Sequence, residues 1–288
     1  MKIRKYWHII FVILAWSSTP VVTKILLKTL KPIEILFYAF LFAIISLFVI
    51  ILFNGTHKEI KKYSKKDISY LIFLGFLGIF LHNLFYVNGF KLVPAVEANV
   101  LNYLWPVLIV VFSIFLLKDK ITSKKIIAII LGFIGAYLVL TNGNVIPIFT
   151  NLKGDLLMIA GACAWALFSV LGSKHKYEDY SSMFLEMVFG FAFIAIFMAL
   201  TSSFRLLPAK EILLLAYLGL ITKGLAFPFW MISIKNIGRA KTANLAYLSP
   251  FIALLLINIF LGEAIRWFYI VALILIIGGV LLQERKCG

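Results

Sequence analysis

Apolar residues fill this chain in long runs, and short polar or basic segments separate the runs. A bilayer core about 30 Å thick is crossed by about 20 residues of apolar helix. This criterion predicts ten spans, and the separators between them hold prolines, glycines and charges that interrupt helices. The predicted spans cover residues 7–27, 33–53, 68–90, 95–117, 124–141, 155–173, 182–201, 211–233, 241–261 and 266–283.

The composition indicates a membrane protein and excludes a soluble domain. Of the 288 residues, 63% are hydrophobic and 14% are charged, and the mean hydropathy is +1.04. A net charge of +16 would favour nucleic acid as the partner of a soluble chain, but here the basic residues lie between the apolar runs. We therefore expect an all-α polytopic protein that contacts the lipid bilayer and no nucleic acid.

The distribution of Lys and Arg predicts the orientation in the membrane. Counted on alternate sides of the predicted spans, nineteen lie on the side of the two termini and seven on the other side. Because cytoplasmic loops carry the excess of basic residues, we expect both termini to be cytoplasmic. The first apolar run is longer than that of a signal peptide, and we interpret it as a retained span.

The second half of the sequence repeats features of the first half at an offset of 144 residues. Leu74-Gly75 corresponds to Leu218-Gly219, Tyr103-Leu104 to Tyr247-Leu248, Pro106 to Pro250, and Gly135 to Gly279. With five spans in each half, the second copy enters the membrane from the opposite face, which predicts a 5+5 inverted repeat. We assign residues 1–145 to the first repeat and residues 146–288 to the second. Such repeats are typical of secondary transporters, and glycines inside the spans are predicted close-packing positions.

Several other classes of protein lack support in the sequence. Only two cysteines are present, Cys163 and Cys287, which is too few for a disulfide framework or a metal cluster within one chain. No H-E-x-x-H motif, aspartate-rich pair or set of serine, histidine and acid at one depth occurs. We therefore expect no enzyme activity, no metal and no cofactor. Paired kinks in an inverted repeat also disfavour a channel or a structural membrane protein.

Residues 97–106 read E-A-N-V-L-N-Y-L-W-P and are unusually polar for a membrane span. Buried polar groups in hydrocarbon cost several kcal/mol unless they are satisfied, so this stretch is expected to line a pathway for substrate. Residues 241–250 are its counterpart in the second half, with Asn244 and Tyr247 near the positions of Asn102 and Tyr103. An intramembrane proline kinks its helix, and the pair Pro106 and Pro250 is therefore the predicted hinge.

Motifs along the whole chain resemble those of the drug/metabolite transporter superfamily, of the EamA type. They are A-W-S-S-T-P at residues 15–20, A-C-A-W-A at 162–166, and the acidic loops L-L-K-D-K and F-L-G-E-A. The stretch A-V-E-A-N-V-L-N-Y-L-W-P at 95–106 resembles the branch that exports aromatic amino acids and paraquat. The resemblance implies a cavity lined by spans 1, 3, 4, 6, 8 and 9, with aromatic walls formed here by Trp16, His82, Tyr86, Tyr103, Trp105, Trp165 and Trp230. The second half departs from this pattern, because Ser249 stands where the first half has Trp105.

Four ionisable residues inside spans leave alternatives open. Lys223 either recognises a substrate carboxylate or pairs structurally with Glu186. His82 is either a packing residue or a proton relay. Glu97 is either a proton carrier or an interfacial residue near Lys91. The predicted coupling residues are thus His82, Glu97 and Glu186, whereas Lys24 is interpreted as a structural residue that reaches the interface.

These observations predict a secondary transporter of the bacterial plasma (inner) membrane. We expect it to export amino acids, aromatic or other small neutral ones, or related metabolites by alternating access. Alternatives are an exporter of cationic drug-like compounds and an uptake carrier for a small metabolite. The expected partners are a small-molecule substrate, the bilayer and protons as a candidate coupling ion, and the expected state is a monomer or a weak homodimer. The predicted substrate-binding residues are Trp16, His82, Tyr86, Asn102, Tyr103, Trp105, Trp165, Lys223, Trp230, Asn244 and Tyr247.

Overall fold

The computed structural model describes residues 6–144, 151–173, 177–202, 204, 206–237, 242 and 245–284, and their regular structure is entirely helical. The 3₁₀ helix Thr56–Lys62 connects α2 to α3, and α8 runs without interruption through Ala209–Ala216, Tyr217–Leu225 and Ala226–Ile237. The other helices are α1 Trp7–Leu26, α2 Pro32–Phe53, α3 Lys65–Leu92, α4 Ala95–Leu117, α5 Ser123–Leu140, α6 Leu152–Gly172, α7 Asp179–Thr201, α9 Ser249–Leu261 and α10 Trp267–Glu284.

Within the described residues, eight helices are long and apolar enough to cross a membrane, and α9 and α10 are shorter apolar helices. The first seven begin and end within three residues of the predicted spans, because proline, glycine and charged residues interrupt the apolar runs there. Their outward surface is apolar: Phe115 is 75% exposed, Leu213 71% and Ile259 70%. So large an exposed apolar surface requires a hydrocarbon environment.

Two helices contain a wide π-helical segment that the sequence did not predict. These segments are Gly75–Leu81 in α3 and Tyr217–Leu225 in α8, so they occupy corresponding positions at the offset of 144 residues. In a π-helix the backbone N–H bonds the carbonyl five residues earlier, and such segments frequently occur at functional sites. Each segment packs against a neighbouring helix, α7 for the segment in α3 and α2 for the segment in α8.

Glycines allow these helices to approach closely. A Cβ atom at Gly75 would overlap the carbonyl oxygen of Glu186 on α7, and one at Gly219 would overlap the carbonyl oxygen of Ala39 on α2. The pair Gly135 and Gly279 has the same role between α5 and α10, where each glycine faces the opposite helix. Small residues at such interfaces let backbones touch and gain van der Waals contact. Not every intramembrane glycine follows this rule, because no atom of another residue lies within 4 Å of a Cβ built at Gly278.

Two helical stretches are broken at the corresponding prolines. In α4 a turn at Tyr103 and Leu104 separates Ala95–Asn102 from Trp105–Leu117, and Pro106 is the second residue of the new stretch. A turn at residues 247–248 likewise precedes α9, where Pro250 is the second residue. Proline is accommodated in the first turn of a helix, since its missing N–H needs no partner there. The two prolines therefore start helices at a break rather than kink the interior of one.

One end of the bundle is joined by polar contacts between four segments. The Lys24 ammonium, near the end of α1, donates to the carbonyl oxygens of Phe90 and Val93, at 2.7 and 2.5 Å. The Glu263 carboxylate, between α9 and α10, accepts hydrogen bonds from the backbone N–H groups of Ala95 and Val96, each at 2.9 Å. We call this the Glu263 end. Because Lys24 is bonded to backbone, its predicted structural role is confirmed here as a tie between helices.

At the opposite end, tyrosines connect α3 with α6 and α7. Tyr63 bonds Ser181 at 2.6 Å, Tyr70 donates to the Leu171 carbonyl oxygen at 2.9 Å, and Tyr177 donates to Asp67. Burial and the hydrogen bond to Asp67 raise the pKa of Tyr177 to about 12, so its hydroxyl remains a donor at neutral pH. We call this the Tyr177 end.

We expect Gly219→Ala to destabilise the protein by about 1–3 kcal/mol, the usual cost of overpacking. The added methyl group would force α2 and the π-helical segment of α8 apart. Thermal unfolding of the purified protein in detergent measures the effect. Gly278→Ala is the matched control, because its methyl group enters open space and alanine favours helix by up to about 1 kcal/mol. Equal unfolding temperatures for the two variants would contradict the close approach at Gly219.

Candidate functional site

A cavity of about 490 Å³ lies among α1, α3, α4, α6 and α8, with contributions from α2, α10 and the turn before α9. Its volume is in the range of sites that hold small molecules. Ten of the eleven predicted substrate-binding residues line it: Trp16, His82, Tyr86, Asn102, Tyr103, Trp105, Trp165, Lys223, Trp230 and Tyr247. Asn244 lies outside the described residues. The wall also contains residues that the sequence analysis did not select, among them Phe40, Asn83, Asn99 and Phe227.

Aromatic rings form a continuous series along this wall. The ring centroids of Trp16 and Trp230 are 5.4 Å apart, and those of His82 and Trp165 are 5.0 Å apart. Phe227 lies between the two pairs, 6.0 Å from Trp16 and 6.3 Å from Trp165. Rings at these separations pack favourably with one another and offer flat surfaces on which a further ring can stack.

The π-helical segment of α8 holds Trp16 in place. The indole N–H of Trp16 donates to the carbonyl oxygen of Thr222 at 3.1 Å, although the two residues lie 206 positions apart in the chain. The Thr222 hydroxyl donates a hydrogen bond to the Leu218 carbonyl oxygen at 2.7 Å. A buried indole N–H requires such a partner, and the carbonyl supplies it. The position of Trp16 therefore depends on the local distortion of α8.

Lys223 projects from the same segment into the cavity. Its ammonium donates to Oδ1 of Asn83 at 3.1 Å and lies 4.5 Å from the ring centroid of Phe40. Asn83 is itself held by α3, because its amide N–H₂ donates to the carbonyl oxygens of Gly78 and Ile79 at 3.3 and 2.9 Å. The alternative pairing of Lys223 with Glu186 is wrong, because the partner of Lys223 is the neutral Asn83. A buried ammonium whose partner is neutral attracts an anion strongly in a medium of low dielectric.

Two further polar groups in the wall have defined hydrogen-bonding roles. Nδ1 of His82 lies 2.9 Å from the carbonyl oxygen of Gly161, so Nδ1 carries the proton of that bond. In the neutral ring this leaves Nε2 as an acceptor. The Oδ1 atom of Asn102 is buried and has no hydrogen-bond partner among the described residues. Among the described residues, the cavity wall thus combines the Lys223 cation with the unpaired Oδ1 acceptor of Asn102 and the Nε2 acceptor of His82.

The break before α9 is tied to α4 beside the cavity. The amide of Asn99 donates to the carbonyl oxygen of Pro250 at 3.3 Å, and the Ser17 hydroxyl contacts the Ser249 hydroxyl at 3.0 Å. The Tyr103 side chain also lies close to Ser249. Pro106 lines the cavity directly, whereas Pro250 is buried behind it. Both predicted hinge residues therefore adjoin the cavity.

The two predicted coupling carboxylates lie outside the cavity wall. Glu97 is 1% exposed and lies near Glu263 and Asp155, and its two alternative roles, as a proton carrier or as an interfacial residue near Lys91, stay predictions. Glu186 is 6% exposed and lies on α7, where its backbone carbonyl oxygen faces Gly75. Of the three predicted coupling residues, His82 contributes to the wall. Within the described part of the chain, no three His, Cys, Asp or Glu side chains are grouped so that they could hold a metal ion.

Asn83 and Phe227 were missed for different reasons. Asn83 is a polar residue in the middle of an apolar run, and this signal could have selected it beside His82. Phe227 is one of 27 phenylalanines, and its sequence position carries no signal that separates it from those facing lipid. Only the packing of α8 against α1 and α6 assigns it to the wall.

Comparison with known proteins adds independent support for the class. The model of the EamA-like transporter family matches residues 4–141 and again residues 152–283. The uncharacterized transporter YyaM of Bacillus subtilis (strain 168) is 30% identical over 246 residues, which are 83% of this chain and 79% of that protein. The aromatic amino acid exporter YddG of Ancylobacter novellus is 27% identical over 212 residues, which are 71% of this chain and 72% of that protein.

One solved structure supports the fold. A crystal structure aligns with a TM-score of 0.71 over 98% of this chain and 96% of its own chain, at 23% sequence identity. The family match covers nearly all of the described helices, and both named relatives are transporters. The chain is therefore a multi-pass membrane protein that belongs to the EamA-like transporter family of the drug/metabolite transporter superfamily.

Proposed function

We propose that this transporter exports amino acids, aromatic or small neutral ones, or closely related metabolites across the bacterial plasma membrane. The observation that carries the proposal is the content of one cavity: the Lys223 ammonium, the unpaired Oδ1 of Asn102 and a series of aromatic rings. A zwitterionic amino acid presents a carboxylate and an ammonium, which are the groups these two side chains bind. An aromatic substrate side chain stacks on the rings.

A cationic drug-like substrate is less well matched to this cavity. The rings can hold a cation by cation–π contact, but the Lys223 ammonium repels it across a medium of low dielectric. The similarity to an aromatic amino acid exporter favours the amino-acid alternative and the export direction. The alternative is uptake of a small metabolite, and a transport assay that measures both directions distinguishes uptake from export.

The transport mechanism that we propose is alternating access between two inverted halves of five helices, residues 1–145 and 146–288. The π-helical segments, the breaks at Pro106 and Pro250 and the two stretches matched by the family model all recur with about half-chain spacing. Two similar halves in opposite orientation can exchange conformations and expose one central site to either side. With both termini cytoplasmic, as the basic residues predict, the Glu263 end faces outward.

We expect Lys223→Met to weaken transport of amino acids about 10-fold to 100-fold, because a charge-assisted hydrogen bond contributes about 1.5–3 kcal/mol. Competition and transport assays in proteoliposomes measure the change. Transport of amino-acid amides, which lack the carboxylate, should differ far less between the wild type and the variant. Lys210→Met on the same helix is the control, since Lys210 is exposed and lies outside the cavity. Normal amino-acid transport by folded Lys223→Met protein would exclude carboxylate recognition by Lys223.

We expect a double variant, Pro106→Ala and Pro250→Ala, to slow substrate exchange more than it weakens binding. Alanine allows each broken stretch to continue as helix, and this stiffens the two turns beside the cavity. Counterflow rates and equilibrium binding separate the two effects. Pro32→Ala is the control, because Pro32 also begins a helix but does not line the cavity. Unchanged turnover in the double variant would remove both prolines from the mechanism.

We expect Ser169→Cys to react with a water-soluble thiol reagent and an aromatic amino acid to slow the reaction. Ser169 lines the cavity, and cysteine has nearly the size of serine. Both cysteine variants are made in a protein in which Cys163 and Cys287 are replaced by alanine. Ala162→Cys on the same helix is the control, because Ala162 is fully buried outside the cavity. Equal reaction rates at the two positions, with or without amino acid, would contradict a substrate-accessible cavity.

A further inference from the structure

A second polar site lies at the Glu263 end, apart from the cavity. Asp155, in the first turns of α6, is 1% exposed, and neither of its carboxylate oxygens has a hydrogen-bond donor among the described residues. The carboxyl group of Glu97 on α4, which is also 1% exposed, lies within hydrogen-bonding reach of Asp155. The sequence analysis selected Glu97 and overlooked Asp155, because the two residues lie 58 positions apart in the chain.

Two ionised carboxylates cannot hydrogen-bond each other, since both are acceptors only. Their charges also repel, and the repulsion is strong where water is excluded. One proton held between the two groups removes both problems, because it supplies the missing donor and leaves a single negative charge. Glu97 and Asp155 both lie near the N-terminus of a helix, where the helix dipole stabilises one negative charge.

Several other charged and titratable groups surround the pair at this end. Lys24 interacts more strongly with Glu263 than with Glu97, and two of its three ammonium protons are donated to backbone carbonyls. Glu263 is held by the N–H groups of Ala95 and Val96. Tyr269 on α10 faces Glu97, Glu263 and Asp155, with Arg266 close to it. The remaining cations on the surrounding helices, Lys91 on α3 and Lys153 on α6, are exposed to the surroundings.

We propose that Glu97 and Asp155 share one exchangeable proton and together form the proton-binding site that couples transport to pH. The coupling role rests on the proposed transport function, whereas the shared proton does not. When the Glu263 end opens, the O–H bond breaks, the proton passes to a water molecule, and the bonding electrons stay on the carboxylate. When that end closes, the reverse step restores the hydrogen bond between the two carboxyl groups.

The pair is connected to the cavity through α4. Asn99 lies two residues beyond Glu97, lines the cavity, and donates to the Pro250 carbonyl at the break before α9. Loss of the shared proton would place two repelling charges between α4 and α6 and favour their separation. A change at the pair would therefore move the segment of α4 that holds Asn99 and Asn102. This gives protons a route to influence a cavity that they do not enter.

Infrared difference spectroscopy on the purified protein in lipid tests the shared proton without any transported substrate. At neutral pH we expect a carbonyl band of a protonated carboxyl group that shifts in D₂O. Glu97→Gln and Asp155→Asn should each remove the same band, because the remaining carboxylate then ionises beside Lys24. Glu186→Gln is the control for another buried carboxyl group and should leave that band in place. Absence of the band in the wild type, or its survival in both variants, would overturn the proposal.

Transport in proteoliposomes tests the coupling role. We expect both single variants to retain substrate counterflow, which needs no driving ion, and to lose acceleration by a pH gradient. If a pH gradient accelerates transport by both variants as much as by the wild type, the pair is not the coupling site. The same conclusion follows if only a sodium gradient drives transport by the wild type. If the wild type transports no amino acid in either assay, the proposed function fails while the infrared result still decides whether the proton is shared.

Discussion

The hydrogen bonds that satisfy polar groups away from water are the constraint on which this structure depends. In a bilayer core each unsatisfied backbone or side-chain group costs several kcal/mol. The protein meets this requirement with a network that runs from the Lys223 ammonium through Asn83 to the carbonyl oxygens of the π-helical segment in α3. Because this network joins α8 to α3 across the cavity, it positions the cation of the candidate site and stabilises the distortion of α3.

The same principle explains the second distorted helix. The π-helical segment of α8 offers the Thr222 carbonyl to the indole of Trp16, so a local irregularity of one helix orients an aromatic ring on another. The glycine at the start of each π-helical region lets a neighbouring helix approach the backbone closely. Close packing on one face and a polar, irregular backbone on the other are thus produced by the same segments. In the proposed mechanism, this arrangement keeps the cavity rigid and the breaks at Pro106 and Pro250 are the points that bend.

The Glu263 end has a different physical character from the cavity. There, backbone N–H groups hold the Glu263 carboxylate, and the buried carboxyl groups of Glu97 and Asp155 are the site of the proposed shared proton. The cavity instead holds a cation with a neutral partner, ready for an anionic group. In the proposed mechanism, this separation lets a substrate site and a proton site influence each other through α4 without competing for the same atoms.

The sequence by itself determined the helical class, the approximate limits of the apolar helices and ten of the residues that line the cavity. It could do so because the length of an apolar run is set by the bilayer, and because a polar or aromatic residue inside such a run must have a partner. Trp16, Trp165, Lys223 and Asn102 were all visible in this way. The five-plus-five arrangement and the orientation of the termini also follow from sequence patterns, and they remain predictions.

Only the tertiary structure decided which partner each polar residue has. It joined Lys223 to Asn83 rather than to Glu186, buried Glu97 beside Asp155, and assigned Phe40 and Phe227 to the cavity wall. It also converted two predicted proline kinks into helix starts and introduced the π-helical segments. These features depend on contacts between residues dozens to hundreds of positions apart, and hydrophobic periodicity contains no information about them because it records only which side chains avoid water.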